Sequence, residues 1–362
     1  MNQPNAARRS RTAVLVLTVA AAAAIVALDL AAHEPPRPSG EATAQPFLKG
    51  MTITCPRFGQ IWGTEHMAQA IREVRDLGVE WIAIHPYIHI QSDGTLLFRR
   101  PAQETEYLVK AVEIAHREGV EFFWKPHLSY WGSFEWRGAI TFTDEAAWQR
   151  FFTGYRRFIV DQARFAEAHR LPLFAVGVEL EGTTHRPEWR GILDEVRQVY
   201  GGRITYAANW DQLAKVPFWD RLDVIGVQAY FPLSGEESPT PQALAQGWDR
   251  HLDELRALSA SLGGKPVLFT EIGYNPAPNA AREPWDYHVD NTPRSRQLRR
   301  QLMDVALQRL PQEPFLMGLF WWKWMPGAHA GRSDFSMRDP EAKAALREAW
   351  GKPHPPRLTT PR

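Results

Sequence analysis

Short apolar runs alternate with helix-like segments along most of this chain, and that alternation restricts the fold more than any single motif. Strands are expected at 49–55, 79–85, 121–127, 173–179, 204–209, 224–230, 266–271 and 315–322. Helices are expected at 66–77, 104–118, 144–169, 189–200, 241–262 and 294–309, with a short helical piece near Gln212 and a closing segment at 340–350. Helical spacing of three and four is plain in Leu108, Val112 and Ala115, and again in Leu252, Leu255 and Leu258. The strands read as nearly continuous apolar runs, as strands buried on both faces do. Strand–helix alternation implies parallel pairing, because a parallel crossover needs about the length of a helix. Eight such units predict a (β/α)8 barrel. An open doubly wound sheet is the competing arrangement, but no glycine-rich phosphate loop follows the first strand.

The N-terminus is organised differently. Arg8, Arg9 and Arg11 precede an apolar run from Ala13 to Leu28 that ends at Asp29. Its 16 residues fall between a signal-peptide core of roughly 7–15 and a membrane span of about 20. A signal peptide cleaved near Ala31 and Ala32 and an uncleaved anchor therefore both remain open. Either places the rest of the chain outside the cytoplasm, in the periplasm or extracellular space, with membrane attachment in the second case. The expected organisation is a signal or anchor at 1–32, a proline-rich linker at 33–47, a barrel at 48–352 and a disordered tail at 353–362.

Composition removes several function classes. Lys and Arg number 42 against 41 Asp and Glu, so the basic excess typical of nucleic-acid binding is missing. Cys55 is the single cysteine, which excludes an intramolecular disulfide and argues against thiolate metal sites. Fifteen tryptophans provide ample flat apolar surface, suited both to core packing and to stacking against sugar rings.

In a barrel the chemistry lies at the C-terminal ends of the strands. The polar residues expected there are His85 and Tyr87, Lys125 and His127, Glu179, Asn209 with Trp210 and Asp211, Gln228 and Tyr230, Glu271, and the run Trp321-Trp322-Lys323-Trp324. Strand interiors need no carboxylate, and an unpaired buried one costs several kcal/mol. Glu179 and Glu271, each closing an apolar strand, are therefore the leading catalytic candidates. Two carboxyls on one rim are the equipment of glycoside hydrolysis, one protonating the leaving oxygen while the other attacks carbon or activates water. Lys125 could instead pair structurally with either glutamate. The three strand-eight tryptophans cannot all face one cleft, because side chains alternate along a strand. His85 and His127 could bind a metal, but no His-x-His pair stands at a strand end, and no metal or other cofactor is expected.

From residue 49 to 324 the chain resembles the clan A glycoside hydrolases, and within them family 113, whose characterised members are β-1,4-mannanases. The resemblance is carried by Lys49-Gly50-Met51, Lys125-Pro126-His127, Gly177-Val178-Glu179, Tyr230-Phe231-Pro232, Thr270-Glu271-Ile272-Gly273-Tyr274 and Trp321-Trp322-Lys323-Trp324. It implies a (β/α)8 barrel with Glu179 as general acid/base and Glu271 as nucleophile. It also implies that Tyr230 holds the nucleophile and that a strand-eight tryptophan, Trp322 by preference, floors the sugar subsite. Glu181 shares strand parity with Glu179 and ranks second as the acid. Many clan A enzymes carry Asn immediately before the acid/base, where this chain has Val178; Asn209 or His127 then has to read the sugar hydroxyl.

The expected function is retaining hydrolysis of a β-1,4-linked hexosyl polysaccharide or oligosaccharide, with mannan implied by the resemblance. The expected substrate-binding residues are Tyr230, Trp322, Lys125, His127, Asn209, Trp210, His85 and Trp324. A non-catalytic glycan-binding barrel of the cell envelope is the alternative.

Overall fold

Eight parallel strands close on themselves: β1 (Leu48–Ile53), β2 (Trp81–Ile84), β5 (Glu121–Trp124), β7 (Leu173–Val178), β8 (Arg203–Asn209), β9 (Val224–Gln228), β10 (Val267–Ile272) and β11 (Leu316–Trp324). Each barrel strand pairs with its sequence neighbours, and β1 closes the ring on β11 through Gly50↔Phe320 and Met51↔Trp321. The computed structural model describes residues 46–56, 58–98, 106–327 and 334–351. The export segment expected at 1–32, the linker up to residue 45 and the tail at 353–362 lie outside the described residues. No helix among the described residues is long and apolar enough to cross a membrane.

Seven α-helices lie among the described residues: α1 (Glu65–Arg75), α2 (Glu106–Glu118), α3 (Glu145–Ala168), α4 (Glu188–Val199), α5 (Pro241–Ser261), α6 (Pro293–Arg309) and α7 (Pro340–Trp350). Their starts follow capping chemistry. Asp144 accepts from the amides of Ala146 and Ala147. Thr240, Thr292 and Asp339 each cap a helix whose first residue is proline, a position where the missing N–H costs nothing. Barrel strand β8 is not followed by an α-helix. Only the 3-10 turns Leu213–Lys215 and Trp219–Arg221 bridge it to β9.

Two apolar layers result. One holds Leu48, Ala83, Phe123, Leu173, Ala175, Ala207, Val224, Leu268 and Phe320, drawn from all eight barrel strands, and fills the barrel. Phe123 and Phe320 meet across it with ring centroids 5.1 Å apart. Gly50 is required beside them, since a Cβ there would sit 2.4 Å from the Phe320 ring. The larger layer lies between strands and helices and includes Trp62, Trp124, Trp189, Trp248, Trp321 and Trp324.

A second, three-stranded sheet corrects the expected third strand. The run expected at 121–127 ends at Trp124, and His127 instead begins β6 (His127–Ser129). β6 pairs with β3 (Tyr87–Ile90), which also pairs with β4 (Leu96–Leu97). Pro86 and Pro126 explain the break. Proline donates no ladder hydrogen bond, so each barrel strand stops before it and the chain resumes pairing outside the barrel. The Tyr87↔His127 pairing brings the two post-proline segments together.

Candidate active site

Glu271 lies near the end of β10, 4% exposed, with both carboxylate oxygens occupied. Oε1 accepts from Lys125 Nζ, and Oε2 accepts from the Tyr230 hydroxyl at 3.1 Å. Lys125, fully buried after β5, also donates to the Thr270 carbonyl at 3.1 Å. Burial pushes the Lys125 ammonium down, and the charge of Glu271 opposes that shift. Burial pushes the Tyr230 phenol well above its ordinary range, and the Glu271 charge adds to the effect, so Tyr230 stays a donor. A buried carboxylate with one cation and one neutral donor is compensated in charge and direction.

Glu179 follows the last residue of β7 with φ 52°, in the left-handed region that non-glycine residues seldom adopt. Two bonds hold this turn: the Glu179 amide donates to the Ala207 carbonyl at 2.9 Å, and the Leu180 amide donates to the Tyr206 hydroxyl at 2.8 Å. Glu179 Oε2 accepts from Arg137 Nη1 at 2.5 Å, while Arg137 Nε is anchored on the Leu128 carbonyl at 3.1 Å. Burial raises the Glu179 carboxyl above its usual range; Arg137 opposes this and the charge of Glu271 reinforces it. Two carboxyls thus lie within electrostatic reach of each other in different surroundings, one doubly held and one pushed toward the acid form.

The sequence reading did not single out Arg137. It lies in a 3-10 turn, Arg137–Ala139, inside the long loop after β6, and no periodicity or motif marks it. Glu181 begins another 3-10 turn, Glu181–Thr183, and its Oε1 accepts from Asn209 Nδ2 at 2.5 Å.

His85 and His127 stack with centroids 5.0 Å apart. His85 Nε2 pairs with Thr54 Oγ1 at 3.0 Å, whereas His85 Nδ1 and both His127 ring nitrogens are buried without a protein partner. Burial depresses both imidazoles well below their ordinary range; Lys125 adds to this at His85 and Arg137 at His127. Neutral imidazoles can donate and accept, which suits them to hydroxyl groups.

Trp322 is half-buried, 5.5 Å from the His85 ring and under the Lys125 ammonium at the same distance. Trp321 and Trp324 pack into the strand–helix layer instead, and Arg338 covers the Trp324 ring at 4.6 Å. Trp324, 1% exposed, is therefore not brought into the cluster. Trp210 lies with Trp285, their rings stacked 5.8 Å apart, on the loops beyond β8 and β10. The structure thus gathers Glu179, Glu271, Tyr230, Lys125, His127, His85 and Trp322, with Asn209 joined through Glu181. No group of three or more metal-ligating side chains is assembled among the described residues.

Replacing Lys125 by methionine tests the Glu271 arrangement. Removing one partner of a buried pair costs about 3–5 kcal/mol. The expected result is a lower urea midpoint together with a turnover loss of roughly 10²-fold or more. Wild-type turnover in Lys125→Met would show that Glu271 needs no cation.

The family model described as Glycoside Hydrolase Family 113 matches residues 51–337. A solved β-1,4-mannanase of that family is similar in fold, with TM-score 0.73, 22% identity, and coverage of 84% of this chain and 99% of that one. The family 113 β-mannanase of Alicyclobacillus acidocaldarius gives TM-score 0.70 at 24% identity, covering 84% of this chain and 97% of its own. A family 5 mannosidase from Rhizomucor miehei shares the fold more distantly, with TM-score 0.54, 11% identity, and coverage of 85% of this chain and 95% of that one. No curated protein matches the chain. The family match spans most of the sequence and encloses both strand-end glutamates, and on that ground the chain belongs to glycoside hydrolase family 113 and is a glycosidase.

Proposed function

We propose that this glycosidase cleaves β-1,4-linked mannan or manno-oligosaccharide with retention at the anomeric carbon. The observation that carries the mechanism is the unequal treatment of the two carboxyls. Glu271 is held by Lys125 and Tyr230, while Glu179 is pushed toward its protonated form. Glu271 attacks the anomeric carbon as Glu179 gives its proton to the departing glycosidic oxygen. Esterification removes the Glu271 charge, so the Glu179 carboxyl falls in pKa and takes a proton from the incoming water. That water breaks the ester bond and restores Glu271. Trp322 provides the apolar floor for the reacting sugar, and His85, His127 and Asn209 are the hydroxyl readers.

Mannan as the substrate is supported by the two similar family 113 structures, both named as β-mannanases. The test is incubation with a panel of β-linked oligosaccharides, mannose-based chains first, followed by proton NMR of the earliest products. Cleavage of manno-oligosaccharides with the β-anomer appearing first is expected. An α-anomer first would overturn double displacement, and cleavage of glucose- or galactose-based chains alone would overturn mannan.

A further inference from the structure

Arg137 touches Glu179, yet the two steps of double displacement as written give it nothing to do. Its guanidinium is fixed on several sides. Nη1 donates to Glu179 Oε2 at 2.5 Å, Nε donates to the Leu128 carbonyl at 3.1 Å, and the group lies 5.6 Å from the centre of the Tyr130 ring. Arg137 is buried. The turn that carries it packs against the turn Glu181–Thr183, just after Glu179. Glycine stands at that contact on both sides. A Cβ on Gly138 would sit 2.0 Å from Glu181 Oε2, and one on Gly182 would sit 2.3 Å from the Ile140 carbonyl oxygen. The close approach of the two turns therefore seats the guanidinium beside Glu179.

The groups that face Glu179 come from several elements. Arg137 lies on the loop after β6, Glu271 on β10, Lys125 after β5 and Gln228 on β9. Glu181 follows on its own segment, and the phenols of Tyr206, Tyr230 and Tyr287 lie within electrostatic reach. Burial pushes the Glu179 carboxyl up. Among the charges, Arg137 pulls it down most strongly, Glu271 pushes it up, and Lys125 pulls it down more weakly. The Glu179 charge in turn pushes the Arg137 guanidinium up, against its burial. These charges do not persist equally through the reaction. While Glu271 is ionised it offsets Arg137. Once Glu271 is an ester its charge is gone, whereas Arg137 still holds the Glu179 carboxyl.

We propose that Arg137 is a positioning residue for the second step, the cation whose contact makes Glu179 a base once the glycosyl-enzyme has formed. The inference rests on the reading of Glu179 as acid/base and Glu271 as nucleophile. In that step Glu179 takes a proton from water and the water oxygen bonds to the anomeric carbon. The ester C–O bond breaks, and its electron pair returns to Glu271. The same contact opposes the proton that Glu179 must hold for the first step. Removing the cation should therefore move both pH limits of Glu179 upward.

The experiment compares wild type, Arg137→Gln and Arg137→Lys on two aryl glycosides, with folded sites counted by the burst of aryl product. With a poor leaving group, the alkaline limb of kcat/KM reports protonated Glu179 in the free enzyme. With an activated one, release of the glycosyl-enzyme limits turnover, and the acid limb of kcat reports ionised Glu179 in the intermediate. Both limbs should rise by about one pH unit in Arg137→Gln, so that turnover on the acid flank falls about tenfold. Arg137→Lys, which keeps the charge, should keep both limbs even where its rate is lower. Unmoved limbs in Arg137→Gln, or a change confined to KM, would overturn the proposal and make Arg137 a structural or substrate contact. The acid/base reading is checked separately through azide release of the glycosyl-enzyme in Glu179→Ala. Its absence would be a failure of Glu179, whereas azide release together with unmoved limbs would be a failure of Arg137 alone.

Discussion

Replacing Glu271 by alanine should reduce turnover by on the order of 10⁴-fold or more, whatever the leaving group, because no covalent intermediate can form. The same change leaves Lys125 buried without its carboxylate, so a loss of stability accompanies the loss of rate and the two have to be separated. Azide separates them. In a folded enzyme the small anion fits the space vacated by the carboxylate and attacks the anomeric carbon from that side, giving the inverted α-glycosyl azide from a β-glycoside. Recovered turnover with that product identifies Glu271 as the nucleophile. Substantial turnover without azide, above about 1% of wild type, would remove it from that role.

The parts of this site that were legible in the sequence are those tied to strand register. Glu179 and Glu271 stand out because a carboxylate at the end of an apolar run has one economical place to be, the solvent end of a barrel strand. The helices were legible through apolar spacing of three and four, as in Leu108, Val112 and Ala115 and in Leu252, Leu255 and Leu258. Arg137 was not legible. Its meeting with Glu179 spans 42 positions and depends on how the long loop after β6, with its single 3-10 turn, folds back toward the end of β7. The Asn209–Glu181 bond was hidden for the same reason, being a contact between two different strand ends. The side sheet of β3, β4 and β6 was obscured because Tyr87–Ile90 and His127–Ser129 look like continuations of the barrel strands before them. Proline at 86 and 126 was the available signal, and it marks a strand end even where the residues beyond are β-formers. Among the tryptophans, alternation predicted that some would turn away, and the packing of Trp321 and Trp324 against the helices leaves Trp322 beside His85 and under the Lys125 ammonium that holds Glu271.

Glu179→Ala should behave differently from Glu271→Ala, and the difference is the sharper test of the mechanism. With a poor leaving group such as a sugar alkoxide, loss of the proton donor should slow the first step by roughly 10²–10⁴-fold. With an activated aryl leaving group that step proceeds without a proton, so kcat/KM should stay within about tenfold of wild type. The glycosyl-enzyme would then accumulate, because no base remains to activate water, and a burst of aryl product should precede a slow steady state. Azide, which needs no deprotonation, should release the intermediate as the retained β-glycosyl azide, opposite in configuration to the product expected from Glu271→Ala. The variant also strips Arg137 of its carboxylate in a site where that guanidinium is 10% exposed, so Glu179→Gln is the companion that preserves shape and a hydrogen-bond acceptor. Both variants should show the same leaving-group dependence if the proton is what matters. Equal losses on activated and natural substrates, with no burst and no azide product, would show that Glu179 serves to hold Arg137 and the turn beneath Glu181, and that the acid is another group.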